Sequence, residues 1–93
     1  MGVVAIRIVM SGRVQGVGFR AWAERRARER GLSGWIRNCR DGTVEAVFAG
    51  QKSRVDQIID LCRSGPAHAR VEVLERYEAE APAMPGFQIR PSD

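Results

Sequence analysis

From Val3 to Met10 the chain reads VVAIRIVM, and its even positions, Val4, Ile6, Ile8 and Met10, are all apolar. An extended segment with that pattern buries one face, so it predicts a first strand. Ser11 to Gly18 (SGRVQGVG) holds three glycines in eight residues, too many for a helix or the interior of a paired strand, and predicts a loop. At Phe19 the period changes. Phe19, Trp22, Ala23 and Ala27 recur at helical spacing among Arg and Glu, and Gly31 supplies a left-handed stop, which predicts a helix over Phe19 to Arg30. Ser33 to Cys39 and Gly42 to Ala49 read as two strands joined at Arg40-Asp41-Gly42, a turn sequence; Val44, Ala46 and Phe48 alternate with Thr43 and Glu45 in the second. Ser53, with Asp56 three residues on, is expected to cap a second helix whose buried face is Val55, Ile58, Ile59 and Cys62, ended by Gly65-Pro66. Val71 to Glu78 is a fourth strand. Ala79 to Pro85 is a connection, and Phe87 to Arg90 a short last strand.

The order is strand, helix, strand, strand, helix, strand, plus a terminal strand. This is an α+β chain with the ferredoxin-like split βαβ arrangement: βαββαβ plus a short C-terminal strand, a mainly antiparallel sheet and two helices on one face. The crossover through the first helix makes strands one and two point the same way, with strand three antiparallel between them. The loop after strand one, the start of helix one and the far end of strand two then share one edge of the sheet.

Size and charge narrow the chemistry. At 93 residues the chain is expected to form one domain over 1–93, too small to enclose a large cofactor cavity, so its chemistry belongs at the surface. No apolar stretch approaches the roughly 18 residues of a membrane span, and the expected location is cytoplasmic. The formal charge is +4, and Lys52 is the only lysine among fifteen basic residues, which leaves fourteen arginines. Guanidinium groups hold oxyanions through paired hydrogen bonds, although compositional drift toward Arg accounts for the total as well. Cys39 and Cys62 are too few for a disulfide scaffold or a metal site; one bridge between them stays open.

Gly12 to Gly18 runs straight into the first helical turn. Glycines let successive N–H groups turn inward, and the unpaired N–H groups of a helix start add partial positive charge, which together describe an anion cradle. Arg20 lies in that first turn, where a cation opposes the helix dipole unless an anion sits between. On spacing alone, an exposed arginine after an ordinary glycine turn fits equally well. The nucleotide P-loop pattern is absent, and Gly16-Val17-Gly18-Phe19-Arg20 does not complete a dinucleotide fingerprint, so a small phosphate is the better fit. Asn38, at the end of strand two, can fix a water or donate to a phosphate oxygen, but its spacing also suits a turn asparagine beside Asp41-Gly42.

These residues carry a family likeness. Gly12-Arg13-Val14-Gln15-Gly16-Val17-Gly18-Phe19-Arg20 resembles the acylphosphatase signature built on Gly-x-Val-Gln-Gly-Val-x-Phe-Arg. Gly34-Trp35-Ile36-Arg37-Asn38, with Gly42, Val44 and Gly50, resembles the second signature of that family. Gly65-Pro66, Ala69-Arg70-Val71 and Gly86-Phe87-x-Ile89 also fit, so the likeness spans essentially the whole chain. It implies hydrolysis of acyl phosphates to carboxylate and inorganic phosphate, with Arg20 binding phosphate and Asn38 positioning water as the catalytic pair. It further implies that Arg13, Val14, Gln15, Gly16, Val17, Gly18 and Phe19 supply the phosphate-binding loop. Gly18 and Cys39 depart from residues common among relatives, which bears on substrate preference and removes no implied contact.

A carboxylate leaving group needs no protein acid, which accords with a single histidine, His68, in a Gly-Pro-Ala-His-Ala connection, and with no spaced cluster for a metal. No cofactor or metal is expected, and the partners are a small acyl phosphate and inorganic phosphate. A monomer is expected. A nucleic-acid module is the rival on this fold, but the aromatic pattern of an RNA-binding strand is absent, and Arg25, Arg26, Arg28 and Arg30 mix with Glu24 and Glu29 as a salt-bridged face. A second rival is a module with this fold and no turnover. Trp22 and Trp35 are read as core residues.

Overall fold

The computed structural model describes residues 2–93. Strands β1 (Val3–Arg13), β2 (Ser33–Asn38), β3 (Val44–Gln51), β4 (Arg70–Glu78) and β5 (Phe87–Ile89), with helices α1 (Phe19–Glu29) and α2 (Lys52–Ser64), follow the order expected. They form one sheet in the order β4-β1-β3-β2-β5. β3 runs antiparallel between β1 and β2, β4 pairs antiparallel with β1, and β5 lies parallel to β2. β1 and β2 therefore point the same way, as the crossover argument requires.

Alternation decides which face is dry. Ile6, Ile8 and Met10 of β1, Ile36 of β2, and Val44, Ala46 and Phe48 of β3 all face the helices and are buried. Ala23 and Ala27 of α1 and Val55, Ile58, Ile59 and Cys62 of α2 close over them. Phe48 stacks on Phe87 at 5.4 Å between ring centroids, which holds β5 into the same core. Each large side chain buried this way contributes about 1.5–3 kcal/mol.

Four sequence expectations shift. β1 does not stop at Met10: it continues to Arg13 because β4 keeps pairing with it, through a bulge between Ser11 and Gly12. Ser53 does not cap α2. The helix starts directly off β3, with Gln51 at the capping position and no side-chain cap; the Lys52 N–H donates to the Gly2 carbonyl, and Asp56 takes the Lys52 ammonium at 2.8 Å and the Arg76 guanidinium at 3.2 Å. Trp35 does not join the core. Gly34 and Ile36 take the inward positions of β2, so Trp35 lies on the opposite face, with Arg37 and Arg90 over its ring at 5.2 and 4.5 Å. Trp22 packs edge-on against Phe19, at the margin of the core. Finally, the β2–β3 connection is longer than the expected join at Arg40-Asp41-Gly42 and takes in Cys39 and Thr43 as well: Cys39 N–H donates to the Thr43 carbonyl, Gly42 N–H to the Cys39 carbonyl, and the Asp41 carboxylate accepts from the N–H and hydroxyl of Thr43. The Thr43 hydroxyl, and then its N–H, hold the Asp41 carboxyl below its usual range.

Candidate active site

β1 leads into α1 through Val14 to Gly18, and both ends of this segment are pinned by hydrophobic burial. Val14 is 1% exposed and Phe19 2%. Between these anchors Gly16 and Gly18 take φ of 75° and 78°, a left-handed conformation suited to glycine. Nothing lies within 4 Å of where a Cβ would stand on either. The loop is thus an open cradle, not a packed turn.

Its hydrogen bonding points outward too. The first helical bond of α1 runs from Trp22 N–H to Gly18 O, at 3.0 Å. No side chain caps the helix and no acidic residue lies in its first turn. Among the described residues no acceptor takes the N–H of any residue from Gln15 to Arg20. Six consecutive donors and an uncompensated helix start make this the natural seat for an anion.

Arg20 is half-buried in that first turn, and among the described residues no carboxylate pairs with it. Arg13 lies in β1 and not in the loop, aligned with Arg70 on β4, both exposed. Like charges opposed across a strand pair repel, so this corner is positive.

Asn38 ends β2 and reaches the same edge by register. Met10 and Asn38 both pair with Val44, which sets their backbones two strand spacings apart, about 10 Å. Strand alternation puts Asn38 on the side of Gly34 and Ile36, the face that α1 covers. Its own carbonyl accepts from Asp93 N–H at 2.9 Å. Among the described residues its carboxamide makes no hydrogen bond.

Gln15 links the two halves. Its Nε2 donates to the carbonyls of Cys39 and Thr43, each at 2.9 Å, so the side chain is committed to the β2–β3 turn, and of its N–H groups the backbone one is left without an acceptor among the described residues. On the other face of the sheet, Glu45 receives Arg7 and Arg37, each at 2.8 Å. The hydrogen bond to Glu45 raises the Arg37 pKa further, keeping it charged. This network ties β1, β2 and β3 together on that face. A hollow of about 650 Å³ beside Arg28, Leu32 and Phe87 lies at the opposite end of α1 and includes neither Arg20 nor Asn38. His68 is exposed, and among the described residues no group of three or more His, Cys, Asp or Glu gathers at metal-binding distance.

A family model described as acylphosphatase matches residues 6–89. The chain belongs to the acylphosphatase family. It is 54% identical over 85 residues to an acylphosphatase of Azorhizobium caulinodans, covering 90% of this chain and 91% of the relative. It is 50% identical over 90 residues to one of Roseiflexus sp., covering 96% and 97%. Among solved structures, an acylphosphatase from Coxiella burnetii superposes with a TM-score of 0.89 at 31% identity, covering 95% of this chain and 93% of that one.

Within this acylphosphatase chain the residues Val14 to Arg20 form one continuous element, and topology delivers Asn38 to its edge. Arg13 stands at the rim. Sequence reasoning missed the anchoring role of the Gln15 side chain, because its partners are main-chain carbonyls 24 and 28 residues away. It also missed the stacked arginines on Trp35, which the inward positions of Gly34 and Ile36 could have signalled.

Proposed function

We propose that this acylphosphatase hydrolyses acyl phosphates without a metal, with Arg20 and the amides of the Arg13–Phe19 segment holding the phosphoryl group and Asn38 positioning the attacking water. The observation that carries the reading is the unbroken run of unpartnered N–H groups from Gln15 to Arg20, ending on an arginine with no carboxylate partner among the described residues.

The chemistry asks little of the protein. Water oxygen bonds to phosphorus, the phosphorus–oxygen bond to the acyl group breaks, and the carboxylate leaves as a stable anion that needs no proton from a side chain. The proton lost by water goes to a phosphate oxygen or to solvent, since a carboxamide is no base. Phosphoryl transfer through a loose transition state depends mainly on positioning and charge neutralisation. A guanidinium and preorganised amides supply the second, and Asn38, at the same sheet edge, supplies the first. The same reading takes residues 1–93 as one domain, working as a cytoplasmic monomer on a small substrate with no nucleic-acid partner.

The test is hydrolysis of acetyl or benzoyl phosphate, with inorganic phosphate as competitor and EDTA present. Turnover that phosphate inhibits competitively and EDTA leaves unchanged is expected. Activity lost to EDTA and restored by a divalent ion overturns the metal-free mechanism, and tight RNA binding at about 0.2 M salt without turnover overturns the assignment.

A further inference from the structure

We infer that Gln15 is a positioning residue: its side chain locks the phosphoryl-holding loop to the strand end that carries Asn38. The inference rests on the proposed roles of that loop and of Asn38, and it adds the part that keeps them in one frame.

The geometry is specific. Gln15 stands at the start of the cradle, between the buried anchor Val14 and the open Gly16. Its half-buried Nε2 donates to Cys39 O and to Thr43 O, at 2.9 Å each. Cys39 directly follows Asn38. A single side chain thus ties the loop to the residue next to the water-holding carboxamide, across 24 residues of sequence.

These two bonds are redundant for the turn itself. Cys39 O already accepts from Gly42 N–H at 3.1 Å, and Thr43 O already accepts from Cys39 N–H at 2.8 Å. Removing the Gln15 amide leaves neither carbonyl without a partner, so folding loses two supplementary hydrogen bonds and strands no polar group. What is lost is the cross-link. The loop amides and Arg20 belong to β1 and α1; Asn38 belongs to β2; between them the structure shows no other side-chain hydrogen bond from the loop to the β2–β3 turn among the described residues. Without Gln15, phosphate still meets its donors, but the water drifts relative to phosphorus, and displacements near 1 Å cost about a hundredfold in rate.

Gln15→Met keeps the length and apolar stem while removing both donated protons. Expected is a kcat about ten- to a hundredfold lower, with inhibition by inorganic phosphate changed by no more than about twofold. A merely structural role weakens phosphate binding and turnover together, and that result overturns the inference. The decisive comparison is with Asn38→Ala. If Gln15 acts through Asn38, Gln15→Met/Asn38→Ala is no slower than Asn38→Ala alone; a double variant slower by the product of the two single effects overturns the inference. Full activity in Asn38→Ala instead removes the water-positioning reading on which this one stands, so the two failures are distinct. Should the Met variant not fold, the side-chain amide protons of Gln15 in the unaltered protein decide by NMR: protection from exchange supports the tether, and free exchange overturns it.

Discussion

Arg20→Ala should move stability and activity in opposite directions. Arg20 occupies the second position of α1, a helix that starts with no cap and no acidic residue, so its charge opposes the helix dipole. Removing a cation there gains about 0.3–1 kcal/mol, and alanine is at least as good a helix former. Among the described residues no carboxylate loses a partner. The half-buried stem gives back part of that gain through lost packing. The net expectation in phosphate-free buffer is a fold between equally stable and about 1 kcal/mol more stable, which is a melting temperature unchanged or up to about 4–8 °C higher. Activity should fall by two to four decades, since an arginine gripping phosphoryl oxygens in a preorganised site is worth about 3–5 kcal/mol. Phosphate adds a second readout: at a hundred times its Kd it should stabilise the unaltered protein by about 2.7 kcal/mol and the variant far less. Urea melts with and without phosphate, beside acetyl phosphate turnover, measure all of this. A variant that keeps turnover within about tenfold, or loses more than about 1 kcal/mol without phosphate, refutes the reasoning.

Asn38→Ala should hold inorganic phosphate within about threefold of normal while kcat drops at least about tenfold, read from phosphate inhibition against initial rates; unchanged kcat removes its role. In Gly34→Ala the new Cβ runs into the Val47 carbonyl oxygen, with φ at 136°; β2 and β3 must separate, and a loss of about 3 kcal/mol or more in a urea melt is expected. Burial pushes the Cys62 thiol from its ordinary 9.0 up to about 12. The unfolded chain therefore loses this proton first: the contribution is intact below pH 9.0 and declines between there and about 12, by about 1.4 kcal/mol per pH unit. Cys62→Ala should flatten that alkaline slope, and an unaltered slope counts against burial as its source.

The elements that the sequence reveals are those whose partners do not matter to their pattern. Val4, Ile6, Ile8 and Met10 alternate whichever strand lies beside them, and Phe19, Ala23 and Ala27 mark a helix face before any sheet is present. What escaped was set by distant chain. Ser11 to Arg13 become strand only because β4 pairs with them across a bulge. β3 is buried at Val47 and Ala49 as well as at Val44, Ala46 and Phe48, since it is central and Arg7 and Trp35 flank Val47 in register from either side. Ser53 had the composition of a cap, yet β3 runs to Gln51 and α2 starts from the strand without one. For the candidate site, the glycine loop and the helix-start position of Arg20 were legible because both are local features. Asn38 depended on topology, and Gln15 on carbonyls that leave no trace in composition.

That division has a mechanical reason. A loop whose N–H groups from Gln15 to Arg20 have no protein acceptor among the described residues cannot be held by its own backbone hydrogen bonds. Its shape must come from elsewhere: Val14 and Phe19, at 1% and 2% exposure, fix the ends in the core, and Gln15 fixes the bend to the neighbouring turn. None of these holds depends on the anion. On the proposed reading the cradle therefore keeps its form when phosphate leaves, binding costs little ordering, and the donors stand ready for the charge that shifts as the acyl oxygen departs.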